Sequence, residues 1–252
     1  MKLGFIGTGN MASAIMGGII KNQIIPANEI IGADMMEAGR KRVKEQFGIQ
    51  VTADNHEVVR NSDVVILSVK PQFYAEVIAE IKDDVREDQI IITIAPGKTL
   101  AWLKEQFGKN VKIVRTMPNT PALVGEGMTA ACPNEYMTKE EITYVLTLLE
   151  SFGRVEIIPE RLMDTVVSVS GSSPAYVFMF IEAMADAAVS GGMPRAQAYQ
   201  FAAQAVLGSA KMVLETGKHP GELKDMVCSP AGTTIEAVRV LEEKGFRSAV
   251  IE

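Results

Sequence analysis

The sequence contains few of the residues that build disulfide frameworks or metal centres. Its 252 residues include two cysteines and two histidines. Cys132 and Cys228 are distant from each other in the sequence, as are His56 and His219, and neither pair has the short spacing of metal ligands. A chain with so few thiols suits a reduced compartment. The sequence therefore predicts a cytoplasmic protein without a metal.

Excess positive charge is also missing. The net charge is -6 at pH 7 and the sequence pI is about 5.2, so we do not expect the clustered cations that bind nucleic acids or acidic membranes. The uncharged stretch from Thr165 to Ile181 contains Gly171, Pro174 and four serines, which makes it a poor membrane span. We expect neither nucleic acid nor membrane as a partner.

Up to about Glu160 the sequence alternates short β-branched runs with amphipathic stretches, which is typical of βαβ units. Helical spacing marks the segments from Met36 to Phe47 and from Pro71 to Ile81. The predicted strands are "KLGFIG", "EIIGAD", "IQVTA", "DVVILSV", "QIIITIA" and "VKIVRT". The pattern predicts an α/β fold for residues 1–160, with a Rossmann-type doubly wound parallel sheet.

After residue 160 the composition changes. Residues 161–252 are rich in alanine, methionine and glycine and contain hardly any strand pattern, so we predict a second, all-α domain. The segment from Tyr176 to Val189 is apolar around most of its helical circumference, and a domain this small has little protein of its own to cover it. A homodimer or a higher assembly of dimers would supply the cover. The alternative is packing on the first domain of the same chain.

A glycine-rich turn follows the first predicted strand directly. It has the spacing Gly7-x-Gly9-x-x-Ala12, in which the first glycine permits the turn, the second admits a pyrophosphate and the third small residue packs the helix on the sheet. Asp34 ends the next predicted strand, where such folds place a ribose ligand. We predict a dinucleotide site here; a turn that serves only close packing is the alternative. The predicted site comprises Gly7, Thr8, Gly9, Asn10, Met11, Ala12 and Asp34.

The sequence leaves the choice between NADPH and NADH open. The Asp34 carboxylate would accept a hydrogen bond from a ribose 2′-hydroxyl and repel a 2′-phosphate. Arg40, Lys41 and Arg42 either attract that phosphate or form the solvated face of a helix.

Two further loops follow strand ends, at the edge where ligands of such sheets bind. They are "SVKPQ" (68–72) and "IAPGK" (94–98), although their prolines and glycine are alternatively simple turn residues. A third segment, "RTMPNTPALVGEG" (115–127), is too polar and too rich in proline to be core.

Near the C-terminus, "CSPAGTTIEAVRVLE" leads from small residues and hydroxyls into an amphipathic helix. The unpaired N–H groups and the positive dipole end of such a helix start suit a carboxylate or a phosphate. The alternative is a threonine that merely caps its own helix.

Five segments, in this order, resemble those of the pyrroline-5-carboxylate reductases: the glycine turn, "SVKPQ", "RTMPNTPALVGEG", "SGSSPAYVF" and "HPGELKDMVCSPAGTTIEAV". The resemblance covers essentially the whole chain. Ala231 stands where many members have a second glycine, and "FRSAVIE" lies where members usually continue into a further helix. The resemblance implies reduction of 1-pyrroline-5-carboxylate to L-proline with NADPH or NADH, the last step of proline synthesis.

The resemblance also implies residue roles. The substrate carboxylate would bind the amides and hydroxyls of Ser229, Gly232, Thr233 and Thr234. The dinucleotide would contact Asn55, Ser68, Val69, Lys70, Pro71 and Ala95, and Met117, Pro118 and Asn119 would lie near the nicotinamide. Thr234 and Asn119 are the catalytic candidates.

Hydride transfer to a cyclic imine needs little beyond positioning if the imine nitrogen is already protonated. No acid–base pair stands out, and His219 precedes "PGELK" at an apparent helix start, so we expect solvent or the substrate to supply the proton. Hydroxyacid dehydrogenases resemble one another in a catalytic lysine early in the helical domain. This sequence has no lysine between Lys139 and Lys211, so alcohol oxidation by that mechanism is disfavoured. A dinucleotide sensor without catalysis is the remaining alternative.

Overall fold

The computed structural model describes all residues from Met1 to Glu252. The chain divides into two compact units, Met1–Tyr176 and Val177–Glu252, which are described separately below. The domain boundary that the sequence predicts near Glu160 stays a prediction.

Eight strands form a single sheet in the first unit. They are β1 (Leu3–Ile6), β2 (Ile30–Ala33), β3 (Gln50–Thr52), β4 (Val64–Leu67), β5 (Ile90–Thr93), β6 (Lys112–Met117), β7 (Gly127–Pro133) and β8 (Gly153–Ile157). Their order is β3-β2-β1-β4-β5-β6-β7-β8, and every neighbouring pair is parallel except β6 and β7. The predicted doubly wound parallel sheet is confirmed.

Two apolar cores lie on the two faces of this sheet. Leu3 of β1 belongs to one core with Ile15, whereas Ile6 of the same strand belongs to the other with Ile78, because side chains alternate between the faces of a strand. Helices cover both faces, so β1, β2, β4 and β5 are buried along their whole length. The helices of this unit are α1 (Asn10–Lys21), α2 (Glu37–Phe47), α3 (Asn55–Arg60), α4 (Tyr74–Ile81), α5 (Leu100–Phe107), α6 (Lys139–Glu150) and α7 (Met163–Val166).

The strand order places a switch point beside β1. The chain runs from β1 to β2 on one side and later places β4 on the other side of β1. Ligands of doubly wound sheets bind outside the carboxyl ends of the strands at such a point. The glycine turn follows β1 and the Ser68–Pro71 loop follows β4, so both lie at this edge.

The structure corrects the sequence prediction between β6 and β8. The predicted strands did not include β7 or β8, and the segment 115–127 is not a simple loop: it contains the end of β6, the 3₁₀ turn Thr120–Val124 and the first residue of β7. Within it, Ala122 is buried. The sequence of β7 contains no β-branched run that would predict a strand. It forms a strand because it pairs antiparallel with β6, where Thr116 lies opposite Ala131.

The second unit is helical throughout. In the first unit, a π-helical turn (Val167–Gly171) follows α7 and precedes α8 (Ser173–Ser190), most of which belongs to the second unit. The other helices are α9 (Arg195–Thr216), α10 (Pro220–Val227), α11 (Thr233–Glu243) and α12 (Phe246–Ile251). The all-α character of the C-terminal part is thus confirmed.

Large apolar side chains are exposed on the helices of the second unit. Phe178, Met179, Phe201 and Leu214 are each more than half exposed. By length and composition alone the helical stretch Glu160–Ser190 could cross a membrane. A single stretch of this kind is a weak indication, because core helices of soluble proteins meet the same criteria.

Candidate active site

The glycine turn joins β1 to α1 at the carboxyl edge of the sheet. Gly7 has a φ of +95°, and a Cβ on this residue would lie 2.8 Å from the Ser68 backbone, so the turn requires glycine. Gly9 is the N-cap of α1 without a capping side chain, and nothing lies within 4 Å of a Cβ placed there. Ala12 is fully buried. The first-turn amides of α1 are therefore accessible to an anion such as a pyrophosphate.

Thr8, inside this turn, is held by charged residues. Its backbone N–H and its hydroxyl both donate to Asp34 Oδ2, each over 2.8 Å, and Arg42 donates to its carbonyl. The Met36 N–H donates to the other carboxylate oxygen of Asp34 over 2.9 Å. Asp34 therefore fixes the glycine turn, and Oδ1 keeps acceptor capacity for a ribose hydroxyl.

The side chains of the three basic residues after β2 make two kinds of contact. Lys41 pairs with Glu45 over 3.9 Å and is 73% exposed, which agrees with the solvated-face interpretation. Arg40 donates to the Asp34 carbonyl over 2.6 Å, and Arg42 reaches Thr8 as described above. The Asp34 carboxylate and the guanidinium groups of Arg40 and Arg42 thus lie together at the end of β2, and the choice between NADPH and NADH stays open.

The loop after β4 is tied to the glycine turn. The Ser68 hydroxyl donates to the Gly7 carbonyl over 2.7 Å, and the Ser68 N–H donates to the Ile6 carbonyl over 2.8 Å. In the same loop Val69 and Pro71 are half-buried, whereas Lys70 is exposed. The structure thus brings Gly7 and Ser68 together, while the role of Lys70 stays a prediction.

Tyr74, at the start of α4, joins the ends of β4 and β5. Its hydroxyl donates to the Leu67 carbonyl over 2.5 Å and accepts from the Ile94 N–H over 3.2 Å. The side chain is fully buried, and this burial raises the pKa of the phenol above its ordinary value. The residue therefore fixes the loops that contain Ser68 and Ala95.

Asn55 and His56 begin α3 beside α4. Asn55 Nδ2 donates to Glu80 Oε2 over 2.9 Å. The hydrogen bond between His56 Nδ1 and Asp84 raises the pKa of the imidazole and lowers the pKa of the carboxyl. Asp54, His56 and Glu80 place their ligand atoms within 4.8 Å of one another, but exposed groups of this kind are common without an ion. The absence of a metal stays a prediction.

The segment Met117–Asn119 leaves β6 and is largely enclosed. Pro118 and Asn119 are buried. Asn119 Nδ2 donates to the Ser170 carbonyl over 3.0 Å, and Asn119 Oδ1 accepts from the Met128 N–H over 2.8 Å. Because both ends of the amide are bonded within the chain, the geometry favours a structural task for this side chain over direct chemistry.

The segment before α11 forms a tight turn around Gly232. The Gly232 N–H donates to the Ser229 carbonyl over 3.0 Å, and a Cβ on Gly232 would lie 2.4 Å from Ser229 Oγ. Ala231 has a φ of +57°, in the left-handed region that costs a residue with a Cβ about 1–2 kcal/mol. A second glycine at this position would adopt the same conformation without that cost.

The start of α11 has no side-chain cap. Its N-cap is Gly232 and no side chain accepts from the first-turn amides, so the threonine-cap alternative is not what the structure shows. Thr233 is exposed and Thr234 is half-buried. The first-turn N–H groups and the Thr234 hydroxyl are thus accessible donors for a carboxylate. In contrast, His219 does cap a helix: its Nδ1 accepts from the Gly221 N–H over 3.0 Å at the start of α10.

Comparison with known proteins shows the family to which the chain belongs. Residues 160–252 match the family model described as pyrroline-5-carboxylate reductase dimerisation. Residues 2–97 match the model described as NADP oxidoreductase, coenzyme F420-dependent. The chain is 56% identical to pyrroline-5-carboxylate reductase of Escherichia coli, over 100% of this chain and 93% of the relative. The chain belongs to the pyrroline-5-carboxylate reductase family.

Solved structures of other members of this family have the same fold. A reductase from Coxiella burnetii is 36% identical with a TM-score of 0.91, and covers 99% of this chain and 93% of its own. The Plasmodium falciparum pyrroline carboxylate reductase, described with NADP bound, is 33% identical with a TM-score of 0.90, and covers 100% of this chain and 93% of its own.

One residue that shapes the site, Tyr74, escaped the sequence prediction, and the contact of Arg42 with Thr8 was not foreseen. Tyr74 gave only the signal of an aromatic residue with a polar tip near a predicted helix start. Arg42 belonged to the basic group, but nothing in the sequence separated it from Lys41.

Proposed function

We propose that this chain reduces 1-pyrroline-5-carboxylate to L-proline with a hydride from NADPH or NADH, and that it is therefore an oxidoreductase of proline biosynthesis. Family membership across the whole chain supports this function. The observation that carries it is the uncapped start of α11, where the Ser229 hydroxyl lies beside Gly232 and the half-buried Thr234 stands in the first helical turn. This arrangement of donors suits one small carboxylate.

The glycine turn fits a dinucleotide. Gly9 leaves open space above the first turn of α1, whose amides have no side-chain cap, so a pyrophosphate can bind there. Gly7, Thr8, Asp34 and Ser68 form the hydrogen-bonded floor of this cradle. We assign Asn55, Val69, Lys70, Pro71, Ala95, Met117 and Pro118 to the same cofactor on the resemblance. When bound, the dinucleotide supplies the hydride.

The residues of the chain act on the reaction by position. The substrate carboxylate accepts hydrogen bonds at Ser229, Gly232, Thr233 and Thr234, which fixes one side of the ring. The imine nitrogen would be protonated by solvent or on the substrate beforehand, so that no residue of the chain has to donate a proton when the bound dinucleotide supplies the hydride. Holding two reactants in a reactive orientation is by itself a large source of acceleration for such a step.

The active protein is a homodimer or a higher assembly of dimers, with a boundary near Glu160 between the dinucleotide domain and the helical dimerisation domain. Exposed aromatic and aliphatic side chains on α8 and α9, among them Phe178 and Phe201, need a cover that a second copy supplies. We place the protein in the cytoplasm. Light scattering at micromolar concentration tests the assembly, and a monomer contradicts it.

A turnover assay tests the activity. The protein is incubated with pyrroline-5-carboxylate and either NADPH or NADH; the loss of nicotinamide absorbance and the appearance of proline are measured together. We expect equal amounts of oxidised cofactor and proline. A sample that binds the dinucleotide and oxidises neither cofactor would refute the function and would favour a dinucleotide sensor.

A further inference from the structure

Pro174 leaves one backbone carbonyl of the helix without its usual donor. In an α-helix the N–H of residue i+4 donates to the carbonyl of residue i. The residue four positions after Ser170 is Pro174, which has no N–H and whose ring crowds that carbonyl. The chain widens there into the π turn (Val167–Gly171), in which the Ser172 N–H donates to the Val167 carbonyl over 2.8 Å.

Asn119 supplies the missing donor from outside the helix. Its Nδ2 lies 3.0 Å from the Ser170 carbonyl oxygen. Its Oδ1 accepts from the Met128 N–H at the start of β7 over 2.8 Å, and the side chain is 8% exposed. One buried amide thus joins three segments: the end of β6, the start of β7 and the π turn.

A second contact joins the same segments. A Cβ on Gly171, the last residue of the π turn, would lie 3.0 Å from Met117 Cε, so the turn packs directly on Met117. Met117 and Pro118 are the residues assigned above to the nicotinamide end of the cofactor. π-helical turns inside helices frequently occur at functional sites.

We propose that Asn119 is a positioning residue: its bond to the Ser170 carbonyl, made necessary by Pro174, holds the segment Met117–Asn119 against the π turn and thereby sets where the nicotinamide lies. This proposal rests on the proposed function and replaces a catalytic role for Asn119. The side chain acts through the backbone that it holds.

A double-mutant cycle tests the proposal. Asn119→Asp keeps an acceptor for the Met128 N–H but cannot donate to the Ser170 carbonyl when ionised. We expect kcat to fall by about tenfold to a hundredfold, because small misplacements near the reacting atoms cost this much, while KM for pyrroline-5-carboxylate changes little. Pro174→Ala provides an N–H that helical geometry directs at the same carbonyl. In that background the loss of kcat caused by Asn119→Asp should be several-fold smaller.

Control measurements separate positioning from simple stability. Asn119→Ala is taken through the same cycle, so that a failure of the aspartate variant to fold leaves the test intact. Equal losses of kcat in both backgrounds would overturn the proposal. An Asn119 variant that has a lowered unfolding midpoint and an unchanged kcat would also overturn the proposal, because it would show a role in stability alone.

Hydrogen exchange distinguishes this proposal from the function on which it rests. Exchange in the segment 116–128 should accelerate in Asn119→Asp and slow again when Pro174→Ala is added. If the wild-type protein fails to reduce pyrroline-5-carboxylate, the proposed function fails, while this exchange pattern still reports whether Asn119 holds the segment. Unchanged exchange in the single variant would overturn the proposal independently of catalysis.

Discussion

Replacement of Tyr74 by phenylalanine tests whether one buried hydroxyl fixes two loops of the dinucleotide site. The change removes the donor to the Leu67 carbonyl and the acceptor of the Ile94 N–H, and it leaves the fully buried ring in place. A buried backbone group left without a partner costs about 1–3 kcal/mol. We therefore expect the free energy of unfolding to fall by about 2–6 kcal/mol, since two such groups are affected.

Urea unfolding at fixed protein concentration measures this loss. The single tryptophan, Trp102, lies in α5 of the first unit, so its fluorescence reports on the unit that contains Tyr74. The affinity for NADPH should fall in the same variant, because the Leu67 and Ile94 backbones lead into the loops that contain Ser68 and Ala95.

Tyr144→Phe is the matched control. Tyr144 is half-buried in α6 and its hydroxyl makes no hydrogen bond within the chain, so its removal should change the free energy of unfolding by less than about 0.5 kcal/mol. If the two variants lose the same stability, or if Tyr74→Phe leaves NADPH affinity unchanged, the reasoning about the two loops is wrong.

The remaining predictions concern the substrate loop, the choice of cofactor and the response to pH. Thr234→Val should lower kcat/KM by about tenfold to a hundredfold through the loss of a hydrogen bond to a carboxylate, mostly in KM; an unchanged kcat/KM in steady-state kinetics would remove this residue from the substrate site. Asp34→Ser should raise the NADPH/NADH ratio of kcat/KM by about tenfold. It should also lower kcat/KM for both cofactors, because the hydrogen bonds from Thr8 to the carboxylate are lost. A reversed ratio would contradict contact of Asp34 with the ribose. The stability lost in His56→Gln, measured by urea unfolding at several pH values, should be largest between the ordinary pKa values of Asp84, 3.8, and His56, 6.5. It should shrink as pH rises through the raised pKa of His56 and as pH falls through the lowered pKa of Asp84; a pH-independent difference would contradict their pairing.

The sequence by itself determined the parallel sheet and the glycine turn. Runs such as "DVVILSV" are buried on both faces, so their apolar character persists along the strand and is visible without any contact. Gly7 and Gly9 are similarly local, because a positive φ and a close approach of backbone to ligand are properties of one residue. The helix start after "CSPAG" also follows from local sequence, whereas only the structure shows that no side chain caps it.

Only the tertiary structure decided which polar side chains meet across the sheet. Asp34 and Thr8 are 26 residues apart, and Asn119 and Ser170 are 51 apart. The local sequence around each residue therefore does not predict the hydrogen bond between them. β7 is a strand because β6 lies beside it, although its small residues carry little strand preference of their own. Periodicity and propensity describe neighbours along the chain, whereas a hydrogen bond between distant segments exists only after the backbone has brought them within 3 Å or so of each other.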